Sequence, residues 1–159
     1  MIVSSLAAAD QRLLWDLLHV ALWDPPPAPL RPRALLEHPE VRIYAENWGR
    51  PGDVGVLGKT SDGKPMGAAW MRLIRHGEGL AYVDEETPQL GIAVLPEFQH
   101  RGHGEVLMRA ALKAAREHGY RQVSLTVHPQ NPAIALYLRC GFERVEDRRT
   151  YHLMVKRLV

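Results

Sequence analysis

Cysteine and long apolar runs are scarce in this chain of 159 residues. Cys140 is the single cysteine, so no intrachain disulfide can form, which is typical of proteins in a reducing compartment. No apolar run reaches the ~18 residues that a membrane-spanning helix needs. The amino terminus, MIVSSLAAADQR, lacks the basic region and the apolar length of a signal peptide. We therefore expect a cytoplasmic protein with no membrane partner.

A surplus of charge of one sign is also absent. The 20 Lys and Arg residues nearly balance the 18 Asp and Glu residues, and like charges never run to five in a row. Because nucleic-acid-binding proteins usually carry a basic face, we expect no nucleic-acid partner. The eight histidines show no metal-ligand spacing, and with one cysteine they predict no metal site.

The remaining composition, with 46% hydrophobic residues, suits one domain spanning residues 1–159 with a core of its own. Apolar residues at helical spacing predict a helix over 10–22 with Asp10 as its N-cap. The prolines of residues 24–33 predict a stiff loop, and a second short helical region is expected over 33–47. The same reasoning predicts a short strand over 2–4, a β-hairpin over 53–74 and a buried strand over 88–95.

The second half of the chain alternates between helix and strand. A predicted helix over 103–118 ends at Gly119, and a strand follows at 122–128. Asn131-Pro132 opens another helix, which ends at Cys140-Gly141, before two closing strands at about 142–146 and 150–157. This order predicts an α/β (α+β) fold, in which a mixed central sheet of six or seven strands is flanked on both faces by about four helices. The unit 88–127 predicts a right-handed parallel crossover.

The segment Gln99–Gly104 (QHRGHG) follows a predicted strand and opens a predicted helix. Its glycines, Gly102 and Gly104, allow a tight turn and a close approach of a ligand to the backbone. The first N–H groups of a helix lack internal partners, so they can bind a phosphate or pyrophosphate, and Arg101 adds a guanidinium. The segment matches neither G-x-x-x-x-G-K-[ST] nor G-x-G-x-x-G. The glycines alone are equally compatible with a plain turn.

Three further segments accompany this loop: Ile92–Val94, Ala133–Tyr137 and Gly141-Phe142. Together with Gln99–Gly104 they form a pattern over about residues 88–145 that resembles the GCN5-related N-acetyltransferase (GNAT) superfamily. The resemblance implies a GNAT-like fold and transfer of an acetyl group from acetyl-CoA to a primary amine of a small molecule or peptide. It implies direct attack by the amine in a ternary complex, since no nucleophile for a covalent intermediate is evident.

The resemblance also implies roles for individual residues. The CoA pyrophosphate would bind the backbone amides at the start of the helix, and the pantetheine arm would pair with the preceding strand, which splays from the next one. Tyr137 would be catalytic and would donate a proton to the leaving thiolate. The implied cofactor-binding residues are Ile92, Ala93, Val94, Gln99, His100, Arg101, Gly102, His103, Gly104, Glu105 and Asn131. In many family members the asparagine is seven residues before the tyrosine, a position held here by Gln130.

The base that deprotonates the amine is not identified by the pattern. Acidic residues found in some family members are replaced here by Gln89 and Thr126. Glu85, Glu86 and His128 are candidates that would act through a water molecule. Among the tryptophans, Trp15 and Trp70 are assigned to core packing, whereas Trp23 and Trp48 flank loops and could line the acceptor pocket.

Two other functions stay open at this point. The missing acidic base favours a non-catalytic protein that binds acetyl-CoA or CoA as a sensor or partner subunit, although Tyr137 argues against it. The glycine loop is also compatible with a nucleotide-binding regulatory domain. The sequence does not specify the acceptor, the acyl chain length or the oligomeric state, and it is compatible with a homodimer.

Overall fold

The computed structural model describes residues 1–75 and 77–159. Seven strands in the described ranges form one mixed sheet in the order β1-β2-β3-β4-β5-β7-β6. The strands are β1 (Ile2–Ser5), β2 (Val54–Lys59), β3 (Pro65–Arg72), β4 (Gln89–Val94), β5 (Gln122–Val127), β6 (Glu143–Arg148) and β7 (Tyr151–Arg157). Neighbouring strands are antiparallel except for β4 and β5, which are parallel.

Helices cover both faces of this sheet. They are α1 (Gln11–Ala21), α2 (Pro39–Arg42), α3 (His103–His118) and α4 (Ala133–Arg139). On one face, Leu14 and Leu17 of α1 belong to a buried cluster with Trp70 of β3. On the other face, Leu107 and Met108 of α3 belong to a second buried cluster with other strand residues. Both the predicted α/β fold and the predicted number of strands are confirmed.

The short helical region predicted over 33–47 is present over its first part, but it is divided in two and ends early. A 3-10 turn spans Arg33–Glu37, and α2 begins only at Pro39 and ends at Arg42. His38 between them is extended (φ −66°, ψ 132°), because the ring of Pro39 disfavours helical geometry in the residue before it. The Nδ1 atom of His38 then accepts a hydrogen bond from the N–H of Glu40 and caps α2.

The two predicted caps differ in outcome. Asp10 precedes α1, but its side chain makes no capping bond to that helix and instead accepts the N–H of Ala7 at 2.7 Å. Asn131 does cap the start of α4, since its Oδ1 accepts the N–H of Ala133 at 2.9 Å. The amide of Asn131 therefore fixes where α4 begins.

The pairing of β4 differs sharply between its two edges. Its whole length, from Gln89 to Val94, pairs with β3. On the opposite edge it pairs with β5 only at Gln89 and Ser124, and beyond this point the two parallel strands diverge. The splayed junction leaves a gap in the middle of the sheet, and this gap positions the site described below. No helix in the described part of the chain is both long and apolar enough to cross a membrane.

Candidate active site

A cavity of about 1080 Å³ opens at the gap between β4 and β5. We distinguish two parts of its lining. The helix half comprises residues within 90–94, 98–105 and 131–139, which belong to β4, the following loop, α3 and α4. The loop half comprises residues within 18–44, 77–81, 125–128 and 148–151.

The open edge of β4 supplies backbone groups to the helix half. On the β3 side, the N–H of Leu95 donates to the carbonyl of Met66 in β3 (2.8 Å). On the β5 side, the carbonyl of Pro88 accepts the N–H of Ser124 in β5 (3.1 Å). Because backbone groups of successive strand residues alternate between the two edges, the N–H and C=O groups of Ile92 and Val94 are directed into the gap. These are two of the residues predicted to contact the pantetheine arm.

The loop from Gln99 to Gly102 reverses the chain between β4 and α3. His100 (φ 63°) and Gly102 (φ 85°) both adopt the left-handed conformation, which glycine reaches without strain. The Nε2 atom of Gln99 donates to the carbonyl of Val94 at 2.9 Å and so ties the loop to the strand. Within the described residues, no backbone N–H from His100 to Glu105 donates a hydrogen bond to a protein acceptor. The turn therefore presents a row of free amide donors at the start of α3.

The electrostatic surroundings of this loop are positive. Glu105 lies in the first turn of α3, where its carboxylate accepts hydrogen bonds from Arg139 (2.9 Å) and Arg109 (3.2 Å). These two hydrogen bonds, the one from Arg139 foremost, lower the pKa of Glu105. Arg101 adds an exposed guanidinium in the loop itself. The carboxylate is thus outnumbered by guanidinium groups, which favours binding of an anion.

Tyr137 of α4 is buried, with 7% of its surface exposed, yet it lines the cavity. Its ring packs near Phe142 at a centroid distance of 6.0 Å. The Tyr137 hydroxyl makes no hydrogen bond within the described residues. Every fully buried side-chain polar atom in those residues has a hydrogen-bond partner. The hydroxyl is therefore not fully buried, and it is accessible from the cavity. Burial raises the pKa of Tyr137 to about 12, which keeps the hydroxyl protonated at neutral pH.

Comparison with known proteins agrees with this geometry. A sequence profile of the Acetyltransferase (GNAT) family matches residues 15–142. The chain belongs to the GNAT acetyltransferase family. Among solved structures of other GNAT proteins, ribosomal-protein-alanine N-acetyltransferase from Brucella melitensis aligns with a TM-score of 0.70 at 18% identity, covering 99% of both chains. A spermidine N-acetyltransferase variant from Vibrio cholerae aligns with a TM-score of 0.65 at 17% identity, covering 99% of this chain and 95% of the other.

Two curated GNAT relatives match the chain at the same identity over different lengths. A mycothiol acetyltransferase from Saccharomonospora viridis is 32% identical over 138 residues, which is 81% of this chain and 40% of that protein. A [ribosomal protein bS18]-alanine N-acetyltransferase from Haemophilus influenzae is 32% identical over 68 residues, which is 43% of this chain and 47% of that protein. The chain thus spans less than half the length of these curated relatives.

The candidate bases of this GNAT chain are placed unequally. Of the three, only His128 lines the cavity, whereas Glu85 and Glu86 lie outside its lining. The Nδ1 atom of His128 accepts the N–H of Gln130 at 3.0 Å, so this nitrogen is already engaged with the backbone. Thr126 also lines the cavity but is no base.

Gln89, at the foot of the gap, is held by two hydrogen bonds. Its Oε1 accepts the hydroxyl of Tyr44 at 2.6 Å, and its Nε2 donates to the carbonyl of Glu78 at 3.0 Å. Burial of Tyr44 raises the pKa of its hydroxyl to about 12, so it is a hydrogen-bond donor rather than an anion. The position that is acidic in some GNAT proteins therefore serves here as a structural link.

The tryptophans divide differently from the expectation. Trp23 lines the cavity as predicted, but Trp48 does not. Trp48 is buried in the core, where its Nε1 donates to the carbonyl of Leu6 at 3.1 Å. Trp70 is buried and Trp15 packs against the same cluster, as predicted. The expectation for Trp48 fails because the turn at 43–47 folds this residue inward.

Several residues of the loop half could not be predicted from any local pattern in the sequence. Arg31, from the proline-rich segment, donates to both carboxylate oxygens of Asp24 (2.8 and 2.7 Å) and to the hydroxyl of Tyr151 (3.1 Å). Tyr44 and Arg149 also line the cavity. The described residues contain no cluster of three or more His, Cys, Asp or Glu side chains suited to a metal ion.

Proposed function

We propose that this GNAT chain transfers an acetyl group from acetyl-CoA to a primary amine, with both substrates bound at once. The observation that supports this most directly is the gap between β4 and β5. It connects the free amides of residues 100 and 102–105 to the hydroxyl of Tyr137 through a single cavity. Such a passage suits a long ligand with a charged end and a reactive end, as acetyl-CoA is.

The residues of the helix half fit acetyl-CoA. An ideal Cβ placed on Gly102 meets no atom within 4 Å, so the space in front of the amide row is open to a pyrophosphate. Ile92 and Val94 would pair with the amides of the pantetheine arm, and the neighbouring guanidinium groups would balance phosphate charge. Most of the other residues proposed to bind the cofactor border the same passage: Ala93, Gln99, His100, Gly102, His103, Gly104, Glu105 and Asn131. Arg101 is exposed and lies outside the cavity lining.

Acetyl-CoA supplies an activated acetyl thioester, and the protein positions the groups around it. A backbone N–H of β4 can donate to the thioester carbonyl oxygen as negative charge develops there. Tyr137 can donate to the departing sulfur through its hydroxyl. A thiol has an ordinary pKa near 8.5, well below the pKa of about 12 of the buried Tyr137, so this proton donation is uphill. Burial would raise the pKa of the thiol as well, which would narrow the gap between the two pKa values.

Direct attack is favoured over a covalent enzyme intermediate. The thiol of Cys140 is buried, its pKa is raised by burial, and it does not line the cavity. No contact among the described residues singles out one base for the amine proton. That proton would pass to water, while the departing sulfur would gain a proton from Tyr137. The acceptors named for the curated relatives differ, and therefore the acceptor must be argued from the loop half of this chain.

Calorimetric titration with acetyl-CoA tests the cofactor, with ATP and NAD as controls. We expect selective binding of acetyl-CoA, followed by thiol release when an amine is added. Binding without thiol release from any amine would favour the non-catalytic alternative. Competition by ATP or NAD but not by CoA would favour a nucleotide-binding domain, and no binding at millimolar acetyl-CoA would overturn the proposal.

Replacing Tyr137 with Phe tests the catalytic assignment. We expect kcat to fall at least tenfold while the Kd for acetyl-CoA stays within twofold, because the ring is kept and only the donor is lost. The matched control is Tyr120→Phe, since the Tyr120 hydroxyl donates to the carbonyl of Gly52 and does not line the cavity. An unchanged kcat in Tyr137→Phe would remove Tyr137 from the mechanism.

A further inference from the structure

Three rings form a wall on one side of the loop half. They come from three separate parts of the chain: Trp23 after α1, His128 after β5 and Tyr151 at the start of β7. The rings of Trp23 and His128 meet edge to face at 5.6 Å, and those of His128 and Tyr151 at 6.0 Å. All three line the cavity. We call this set the aromatic wall.

Polar contacts hold the aromatic wall in place. Arg31 donates to the Tyr151 hydroxyl and is itself fixed by two hydrogen bonds to Asp24. The carbonyl of Arg31 also contacts the Nε2 atom of His19 at 2.7 Å. These contacts hold the Tyr151 ring and satisfy the Arg31 guanidinium, so this side offers a ligand ring surfaces rather than a flexible charged side chain.

The His128 ring of the aromatic wall is tied to the backbone, since its Nδ1 accepts the N–H of Gln130 at 3.0 Å. Ala21 and Leu22 extend the apolar lining from α1. This side of the loop half is therefore suited to a flat or apolar group.

The cavity carries no surplus of negative charge. Its described lining includes the carboxylates of Glu40, Glu78 and Glu105 against the guanidinium groups of Arg31, Arg139, Arg148 and Arg149. Glu40 pairs with Arg149 at 3.3 Å, and Glu105 pairs with Arg139 at 2.9 Å. A ligand with several ammonium groups would lose hydration there without gaining matching carboxylates.

We infer that the acceptor is a primary amine attached to an aromatic or apolar body, with no second cationic group. This inference rests on the proposed acetyl transfer. The apolar body packs on the aromatic wall, and the amine extends toward the gap where β4 and Tyr137 lie. A free aromatic monoamine and a peptide with an aromatic first residue share this chemistry.

Thiol release at saturating acetyl-CoA tests the inference with four amines: phenethylamine, ethylamine, spermidine and a tripeptide amide that begins with phenylalanine. We expect kcat/KM for phenethylamine or the peptide to exceed that for spermidine at least tenfold. The better of the two aromatic substrates identifies the source. This comparison needs no variant of the protein.

Trp23→Ala provides the second measurement, with Trp15→Ala as the matched control, because Trp15 lies on α1 outside the cavity lining. We expect Trp23→Ala to raise KM for the aromatic substrate at least fivefold, with little change for ethylamine and for acetyl-CoA affinity. Equal or better turnover of spermidine, or an unchanged KM in Trp23→Ala, would overturn the inference while leaving acetyl transfer intact. Acetyl-CoA binding without turnover of any amine would instead refute the proposed function and the inference with it.

Discussion

The two halves of the cavity are built in different ways. The helix half is mostly backbone: the open edge of β4, a loop with two left-handed residues and the first amides of α3 lie within residues 90–105. The loop half is mostly side chains drawn from distant segments. Its contacts join Arg31 to Tyr151 across 120 residues, Glu40 to Arg149 across 109 and Tyr44 to Gln89 across 45.

This difference suits the helix half to a constant ligand and the loop half to a variable one. Backbone donors recognise a constant ligand, and they are unaffected by side-chain substitution as long as the local fold is kept. Side chains from separate loops can be exchanged one at a time without disturbing that fold. We therefore expect substitutions in the loop half to alter acceptor kinetics or stability, and substitutions in the loop before α3 to alter acetyl-CoA affinity.

The largest expected effect on stability comes from substituting Arg72, the last residue of β3. Its contacts support the turn that carries Tyr44 in the loop half. Its guanidinium is 1% exposed and pairs with Asp53, 4% exposed, at 2.6 Å. It also donates to the carbonyls of Ile43, Glu46 and Asn47, which fix the turn that carries Tyr44. Arg72→Met would leave Asp53 as an unpaired buried charge, and we expect a loss of about 3–5 kcal/mol in the free energy of unfolding.

Urea unfolding measures this loss. Arg121→Met is the control, because Arg121 is exposed and its substitution is expected to change stability by no more than about 0.5 kcal/mol. At a temperature where Arg72→Met stays folded, its KM for the amine should rise while its acetyl-CoA affinity changes less than threefold. A loss of acetyl-CoA affinity equal to the loss in acceptor binding would show that the halves are not independent.

An intermediate effect is expected at Gly102, where the helix half depends on backbone conformation. Gly102 (φ 85°) and Gly63 (φ 87°) adopt the same left-handed geometry, and a Cβ on either meets no atom within 4 Å. Valine at either position should cost a similar ~1–2 kcal/mol of stability, because both are equally strained. Only Gly102→Val should turn the amides away from the pyrophosphate and weaken acetyl-CoA binding at least tenfold.

Calorimetry with acetyl-CoA on both glycine variants makes this a matched pair. Gly63 lies in the β2–β3 turn, where its N–H donates to the carbonyl of Thr60, outside the cavity lining. Unchanged acetyl-CoA affinity in Gly102→Val would contradict the role of the amide row. An equal loss of affinity in both variants would indicate a global effect of destabilisation.

The same contrast explains which parts of the site could be predicted from the sequence. The loop Gln99–Gly104, the strand before it and Tyr137 follow one another at short range, so their spacing carried the resemblance. Whether these residues bind and catalyse as proposed stays a prediction. Arg31, Tyr44 and Tyr151 line the same cavity only because the fold brings distant segments together. Their spacing in the sequence does not predict this. The helical region predicted over 33–47 is interrupted at His38, because Pro39 disfavours helical geometry in the residue before it.

The smallest effect is expected at the mouth of the loop half, where Glu40 of α2 pairs with Arg149 of the β6–β7 turn. The side chains are 62% and 66% exposed, so solvent screens the pair, and Glu40→Gln should shift Tm by no more than about 2 °C.

Arg149 lowers the pKa of Glu40 below its ordinary 4.5. The pair therefore stabilises the fold above pH ~4.5, and its contribution is lost as the pH falls through the lowered pKa. Thermal melts of both proteins at pH 7 and pH 3, with and without ~1 M salt, should show the difference only at pH 7 in low salt. A larger shift that persists in high salt would mean that the mouth is held as firmly as the helix half.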